Sequence, residues 1–377
     1  MRRTNLVAAG IVMALALAAC GSDNNSADTT GGATTTAAAG AETTAAPDTT
    51  AAVETTVAGA DTTAPAPGDA LTMSILFDLK GRGDKSFNDS AAVGLDKAAA
   101  EFGYEVTEEV RSGSDEAQLL KKAADGGATL ILGVGFAWGE AMAESAAANP
   151  DINFAIVDAT VDQPNVSGLV FKANEGSFLV GAAAALKSTT GHIGFIGGVD
   201  IPLIQDFYIG YEAGAKAVNP DIIIDKTYIS PAGDFSGFND PDKAKTIALK
   251  MYEDGADIVF HAAGGSGDGL FGAAKEVNDK GTKVWAIGVD SDQATTVSAD
   301  LAPYILTSML KRVDVAVYET MKAVADGTFE GGVRVFGVAD GGLGYATTGG
   351  YVDDIAAQLD EFVAQISDGT IVVPAGS

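Results

Sequence analysis

Acidic residues stand where the strand-like runs of this chain end, and that placement is its first chemical signal. Asp78 follows LTMSILF (71–77), Asp158 closes NFAIVD (153–158) and Asp290 closes KVWAIGVD (283–290). The run DIVFHAA (257–263) leads into Gly264-Gly265-Ser266-Gly267. Carboxylates accept hydrogen bonds, and glycines let backbone N–H groups approach a ligand closely. In open α/β sheets, ligands bind beyond the carboxyl ends of the strands, where these groups lie.

The stretch GRGDKSFNDSA (81–91) is the next candidate. A phosphate loop needs glycine directly before Lys-Ser, but Asp84 stands there and would repel a phosphate. Arg82-Gly83-Asp84 spells an adhesion tripeptide that recurs by chance, and the charges read as a flexible rim. What remains is a glycine loop entering a helix near Asp89, with Ser86 or Asn88 as its cap. Phe87 is then either a staple at the helix start or an aromatic face presented to a cleft. Local propensity does not choose between them.

Other chemistries find little support. His192 and His261 lie in strand runs with no cysteine or second histidine near them, so neither is assigned to a metal. No G-x-S-x-G elbow occurs. Lys80, Arg82 and Lys85 surround Asp78 and Asp84 and disfavour a divalent cation. Gly267-Asp268-Gly269-Leu270-Phe271-Gly272 satisfies a dinucleotide pattern, but it reads better as a tight strand-to-helix turn. No catalytic residue, cofactor or metal is assigned.

The elements that must hold these residues alternate between apolar strands and amphipathic helices. Further strand runs are ATLILGV (128–134), GLVF (168–171), HIGFIGG (192–198), DIIIDKTYI (221–229) and YILTSML (304–310). Helical patterns cover 89–102, 115–124, 140–149, 177–187, 207–218, 240–254, 270–280 and 312–326. Continuous apolar strands between helices predict parallel sheets covered on both faces, in an α/β fold of two doubly wound lobes with a ligand cleft between them. Ser188-Thr189-Thr190-Gly191 reads as a break between the two units.

The N-terminus addresses the compartment. Arg2 and Arg3 precede an apolar run, Leu6 to Ala19, too short to span a bilayer comfortably. It ends at Cys20, the single cysteine, in a setting that resembles a lipobox, so residues 1–20 read as a lipoprotein signal peptide with lipidation at Cys20. Residues 21–69 carry no aromatic and no Lys or Arg and read as a disordered Thr/Ala-rich tether, roughly 40 Å in root-mean-square span. Net charge is −28 and argues against nucleic acid as partner.

Several strings resemble one family, the basic membrane protein family of ABC-transporter substrate-binding lipoproteins, which are purine nucleoside receptor A-like. They begin with Asp84-Lys85-Ser86-Phe87-Asn88, Gly94-Leu95, Gly135-Phe136 and Phe154 to Asp158. Glu175 to Gly181, Ile193 to Gly198 and Ala263 to Gly267 follow, then Ile287 to Gln293 and Thr307 to Asp314. The resemblance implies a type I periplasmic-binding-protein fold whose chain crosses between lobes three times. Lobe 1 would be 70–175 plus 305–330, and lobe 2 would be 176–304 plus 331–377. It implies a nucleoside clamped between Phe87 and Phe207, with Asp158 at the Watson–Crick edge of the base and Asn88 assisting. Asp78, the Gly264 backbone, Asp290 and Lys311 would hold the ribose. Asp206 stands where the family pattern suggests a different, often basic residue, and its charge is expected to alter selectivity. The implied partners are a purine nucleoside, guanosine or inosine above adenosine, an ABC permease, and the membrane through Cys20, for an extracytoplasmic monomer. An exported nucleoside-processing enzyme and a nucleoside sensor feeding a signalling receptor are the competing expectations.

Overall fold

The structure, a computed structural model, describes residues 71–376. The signal peptide, Cys20 and the tether lie outside the described residues.

The first stretch of chain gives β1 (Thr72–Phe77), α1 (Phe87–Phe102), β2 (Glu105–Val110), α2 (Glu116–Asp125), β3 (Leu130–Gly133), α3 (Gly139–Ala148), β4 (Asn153–Val157) and β5 (Val166–Phe171). The second gives α4 (Ala173–Lys187), β6 (His192–Val199), α5 (Pro202–Val218), β7 (Ile223–Ser230), α6 (Pro241–Asp254), β8 (Ile258–Ala262), α7 (Gly267–Asp279), β9 (Trp285–Asp290), α8 (Gln293–Thr296) and β10 (Ile305–Lys311). The chain then makes α9 (Val313–Ala325), β11 (Gly332–Phe336), β12 (Leu343–Tyr345) and α10 (Ala356–Ser367).

These strands form two six-stranded sheets, ordered β11-β5-β4-β3-β1-β2 and β12-β10-β9-β8-β6-β7. The first is wholly parallel; in the second only the edge strand β12 runs antiparallel, on β10. The expectation of two parallel-sheet lobes holds, for the reason the sequence offered. The inner strands β3 and β8 are buried along their whole length, so they need apolar side chains on both faces. Strand β2, EVTEEV, is an edge: Glu105, Thr107, Glu108 and Val110 are exposed, and its charges hide it from a search for apolar runs.

The chain crosses between lobes after β5, after β10 and after β11. This corrects the expected boundaries. Strand β10 is hydrogen-bonded to β9, so residues 305–311 belong to the second lobe, and the return to the first begins at α9. Strand β11 pairs with β5, so residues 332–336 belong to the first lobe, not the second. The 188–191 segment is no boundary either. It is the α4–β6 turn inside the second lobe, where Asp257 accepts from Ser188 Oγ and from the N–H groups of Thr189 and Thr190.

Two of the crossings meet as a stack, with the rings of Phe171 and Phe336 4.9 Å apart. Lys311, at the end of the strand leading to the third, brings Nζ to 5.1 Å from the Phe171 ring centre. Helices α4 and α5 of the second lobe pack with their backbones almost touching. A Cβ on Gly181 would sit 2.1 Å from the Tyr211 carbonyl oxygen, so only glycine permits that approach.

Candidate functional site

The loop from β1 to α1 is built by one carboxylate. Asp84 is buried, and its Oδ1 accepts from the N–H groups of Ser86 (2.9 Å) and Asp89 (3.0 Å). Its Oδ2 accepts from Asn88 N (2.8 Å) and Nδ2 (3.0 Å). Asp89 reaches back to the N–H groups of Gly83 and Lys85. Orphan donors of the helix start are thereby satisfied reciprocally, as in a capping box. This corrects the expectation that Ser86 or Asn88 caps the helix: the Ser86 side chain makes no cap bond. Burial pushes the Asp84 carboxyl above its ordinary pKa, against the pull of these N–H donors. The charged rim is also ordered. Arg82 bonds both Asp96 and Glu108, and Lys85 Nζ lies 3.0 Å from Asp268 of the second lobe.

Phe87, the first residue of α1, is half-buried and faces a cleft between the lobes, about 680 Å³ when space open at its mouth is included. All eight residues singled out as ligand contacts line it: Asp78, Phe87, Asn88, Asp158, Phe207, Gly264, Asp290 and Lys311. Residues up to 233 positions apart thus meet because most of them end a strand or open a helix, with Phe207 coming from the second turn of α5.

The contacts among these residues refine their expected roles. Lys311 is buried, and its Nζ bonds Asp158 Oδ2 at 2.5 Å. The same ammonium lies 4.8 Å from the Phe87 ring centre and 5.8 Å from that of Phe207. Its hydrogen bond therefore goes to Asp158 and not to Asp290. Asp158 Oδ1 is buried without a hydrogen-bond partner, an acceptor left over inside the cleft. Asp290 Oδ2 accepts from Ser86 Oγ across the lobes at 2.6 Å. Burial raises the Asp290 carboxyl to about 6, with Lys311 and the Ser86 hydroxyl pulling the other way. Asp158 and Asp290 both hold left-handed backbone, φ 64° and 65°, a strained turn that recurs at functional positions.

The Asn88 amide is spent on its own loop. Its Oδ1 accepts the Asp78 N–H at 3.1 Å, and its Nδ2 donates to Asp84. Asp206 does not line the cleft; its Oδ1 accepts the Gly376 N–H, so its charge holds the C-terminal segment.

Sequence reasoning missed several residues here. Phe136, Leu203, Ile204 and Phe238 also line the cleft. Leu203 and Ile204 lie in the first turn of α5, and nothing local in the sequence marks that turn as facing a cleft. Arg111 lies just beyond β2 and donates from Nε (3.0 Å) and Nη2 (2.6 Å) to Asp78 Oδ1. Burial alone would lower the pKa of its guanidinium, but the Asp78 and Glu116 carboxylates raise it. The dinucleotide-like glycines serve packing: a Cβ on Gly269 would lie 1.9 Å from the Pro241 carbonyl oxygen of α6. Among the described residues, no group of three or more His, Cys, Asp or Glu could hold a metal ion.

Two α/β lobes, joined by three crossings around a cleft of aromatic and acidic side chains, define a binding protein of the periplasmic-binding-protein fold. The family described as ABC transporter substrate-binding protein PnrA-like matches residues 72–377. The chain belongs to that family, whose members are substrate-binding proteins of ABC transporters.

Among its relatives is the CD4+ T-cell-stimulating antigen of Listeria monocytogenes, 38% identical over 80% of this chain and 88% of that protein. The ABC transporter nucleoside-binding protein BmpA of Lactococcus lactis is 37% identical over 81% of this chain and 89% of its own length. Basic membrane protein A of Borreliella burgdorferi is 36% identical over 77% and 84%. A solute-binding protein of an ABC transporter system from Aeropyrum pernix superposes with a TM-score of 0.71 at 31% identity, over 81% of this chain and 94% of the other.

Proposed function

We propose that the protein captures purine nucleosides in the interlobe cleft and delivers them to an ABC importer, held at the outer face of the membrane by a lipid on Cys20. One observation carries the base assignment. Phe87 and Phe207 come from opposite lobes to line the cleft, and a carboxylate with an unpartnered oxygen, Asp158, lines it with them. A flat apolar base suits two rings, and a carboxylate accepts hydrogen bonds but donates none. Guanine and hypoxanthine offer a ring N–H to Asp158 Oδ1, whereas adenine offers a lone pair at that position. Guanosine and inosine are therefore favoured over adenosine. Asp78, Asp290 and the Gly264 turn supply acceptors and N–H donors for the ribose hydroxyls, while Lys311 serves as counter-charge to Asp158. Asn88 acts by holding the loop.

The nucleoside-binding relative in Lactococcus lactis supports this reading. Calorimetry with guanosine, inosine and adenosine at neutral pH is the test, with recovery of the ligand unchanged. Adenosine binding tightest would overturn the base preference; release of free base would make the protein an enzyme.

A further inference from the structure

We infer that Arg111 is a positioning residue of the cleft, setting Asp78 for the ligand while engaging Phe235 of the opposite lobe. The inference rests on the nucleoside-binding reading above. Arg111 follows an exposed edge strand yet is only 5% exposed itself, so its donors need partners inside the protein. Nε and Nη2 both go to Asp78 Oδ1, and Nη1 goes to Glu116 Oε1 (3.0 Å) and the Gly113 carbonyl (3.3 Å). Asp78 Oδ1 also takes the Leu79 N–H at 2.7 Å. That oxygen is fully committed. Oδ2 turns to the cleft wall, where a Cβ on Gly135 would stand 3.2 Å away.

The other side of the guanidinium meets the second lobe. Its central carbon lies 5.8 Å from the Phe235 ring centre, and Phe235 presents to Phe136 of the first lobe at 5.5 Å, edge to face. Phe235 begins the short helical turn Phe235–Phe238, whose Phe238 lines the cleft. Ser266 Oγ ties that turn to the glycine turn by donating to the Gly237 carbonyl at 2.8 Å. One side chain thus touches the acid that faces the ligand and the ring that the opposite lobe brings to it. Loss of Arg111 frees Asp78 and removes half the cradle of Phe235 together.

Guanosine affinity and dissociation rate, measured on the full chain for wild type, Arg111→Met, Arg111→Lys, Phe235→Ala and the Arg111→Met/Phe235→Ala double variant, test this. Arg111→Met is expected to weaken binding roughly 30-fold or more, mainly through a faster off-rate. Lysine restores the charge without the fork and recovers only part of that loss. Phe235→Ala is expected to speed dissociation with little change in the on-rate, and the double variant to fall short of the product of the two effects. Wild-type affinity in Arg111→Met, full rescue by lysine, or effects of 111 and 235 that simply multiply would overturn the inference. If Arg111→Met does not fold, an unchanged off-rate in Phe235→Ala still overturns it. A wild type that binds no purine nucleoside fails the underlying reading instead, and that outcome is seen before any variant is made.

Discussion

The Ser86 hydroxyl of the first lobe donates to Asp290 Oδ2 of the second at 2.6 Å, joining residues 204 positions apart. Around it, Gln293 Nε2 donates to the Lys85 carbonyl at 3.1 Å and Ser291 Oγ to the Ser86 carbonyl at 3.3 Å. The loop that opens α1 is therefore a clasp on the far side of the cleft as well as a wall of it. A hydrogen bond to a charged group contributes about 1.5–3 kcal/mol. Ser86→Ala should raise the guanosine off-rate by about tenfold or more, measured by stopped flow, with a small change in the melting temperature of the unliganded protein. An unchanged off-rate would deny the clasp any part in retention.

Acid titration separates the buried groups of the site. The Asp290 carboxyl is raised to about 6 from 3.8, so its contribution to stability is full below about pH 4 and lost as pH rises through about 6. Burial lowers His261, behind the cleft, to about 4 from 6.5. Its contribution has the opposite slope, full above about pH 6.5 and lost as pH falls through about 4. Asp290→Asn removes only the first. The melting temperature of the variant minus that of wild type should climb between pH 4 and pH 6.5, in thermal melts of unliganded protein. A difference constant across that range would contradict the raised carboxyl.

Phe87→Ala and Phe207→Ala should each weaken guanosine binding by about 1–3 kcal/mol, the worth of stacking one base on one ring. They should differ in stability. Phe207 is 3% exposed and packed in the core, whereas Phe87 is half-buried, so only Phe207→Ala is expected to lower the unliganded melting temperature substantially. Calorimetry beside thermal melts checks both. A Phe87→Ala protein that melts early but binds as before would make Phe87 a staple.

Asp84→Ala should destabilise the protein by about 2–3 kcal/mol, because backbone N–H groups at the start of α1 lose a charged acceptor that stays out of water. Denaturant unfolding measures this. A loss under about 0.5 kcal/mol would show that water replaces the carboxylate at no cost.

How much of this was legible in the chain depended on where apolar character was continuous. The buried strands β1, β3, β4, β6, β8 and β9 announced themselves because both their faces are covered, and the acids after them followed from the geometry of open sheets. Strands β2 and β11 did not. Both are exposed edges carrying charge, and β11 is built of Gly-Val-Arg-Val-Phe, whose two central valines face water. Missing β11 is what misplaced the last boundary. In the site, the family strings pointed to Phe87, Asp158 and Lys311, but pairing is a property of three dimensions. That Lys311 bonds Asp158 rather than Asp290, that Asp84 caps α1 and that Arg111 holds Asp78 each depend on side chains between 4 and 153 residues apart. Asp206 looked like a selectivity residue because it departs from the family pattern beside Phe207. One turn of side-chain direction sends it to Gly376 instead.

The Lys85–Asp268 contact has a practical use. These two side chains meet at 3.0 Å from opposite lobes, each about one-third exposed, at the rim where the lobes part. Residues 71–377 contain no cysteine. Cysteines introduced at these two positions would be the only thiols in the folded body. A dye pair attached there would read the distance between the lobes directly, turning the protein into an optical gauge of whatever it holds.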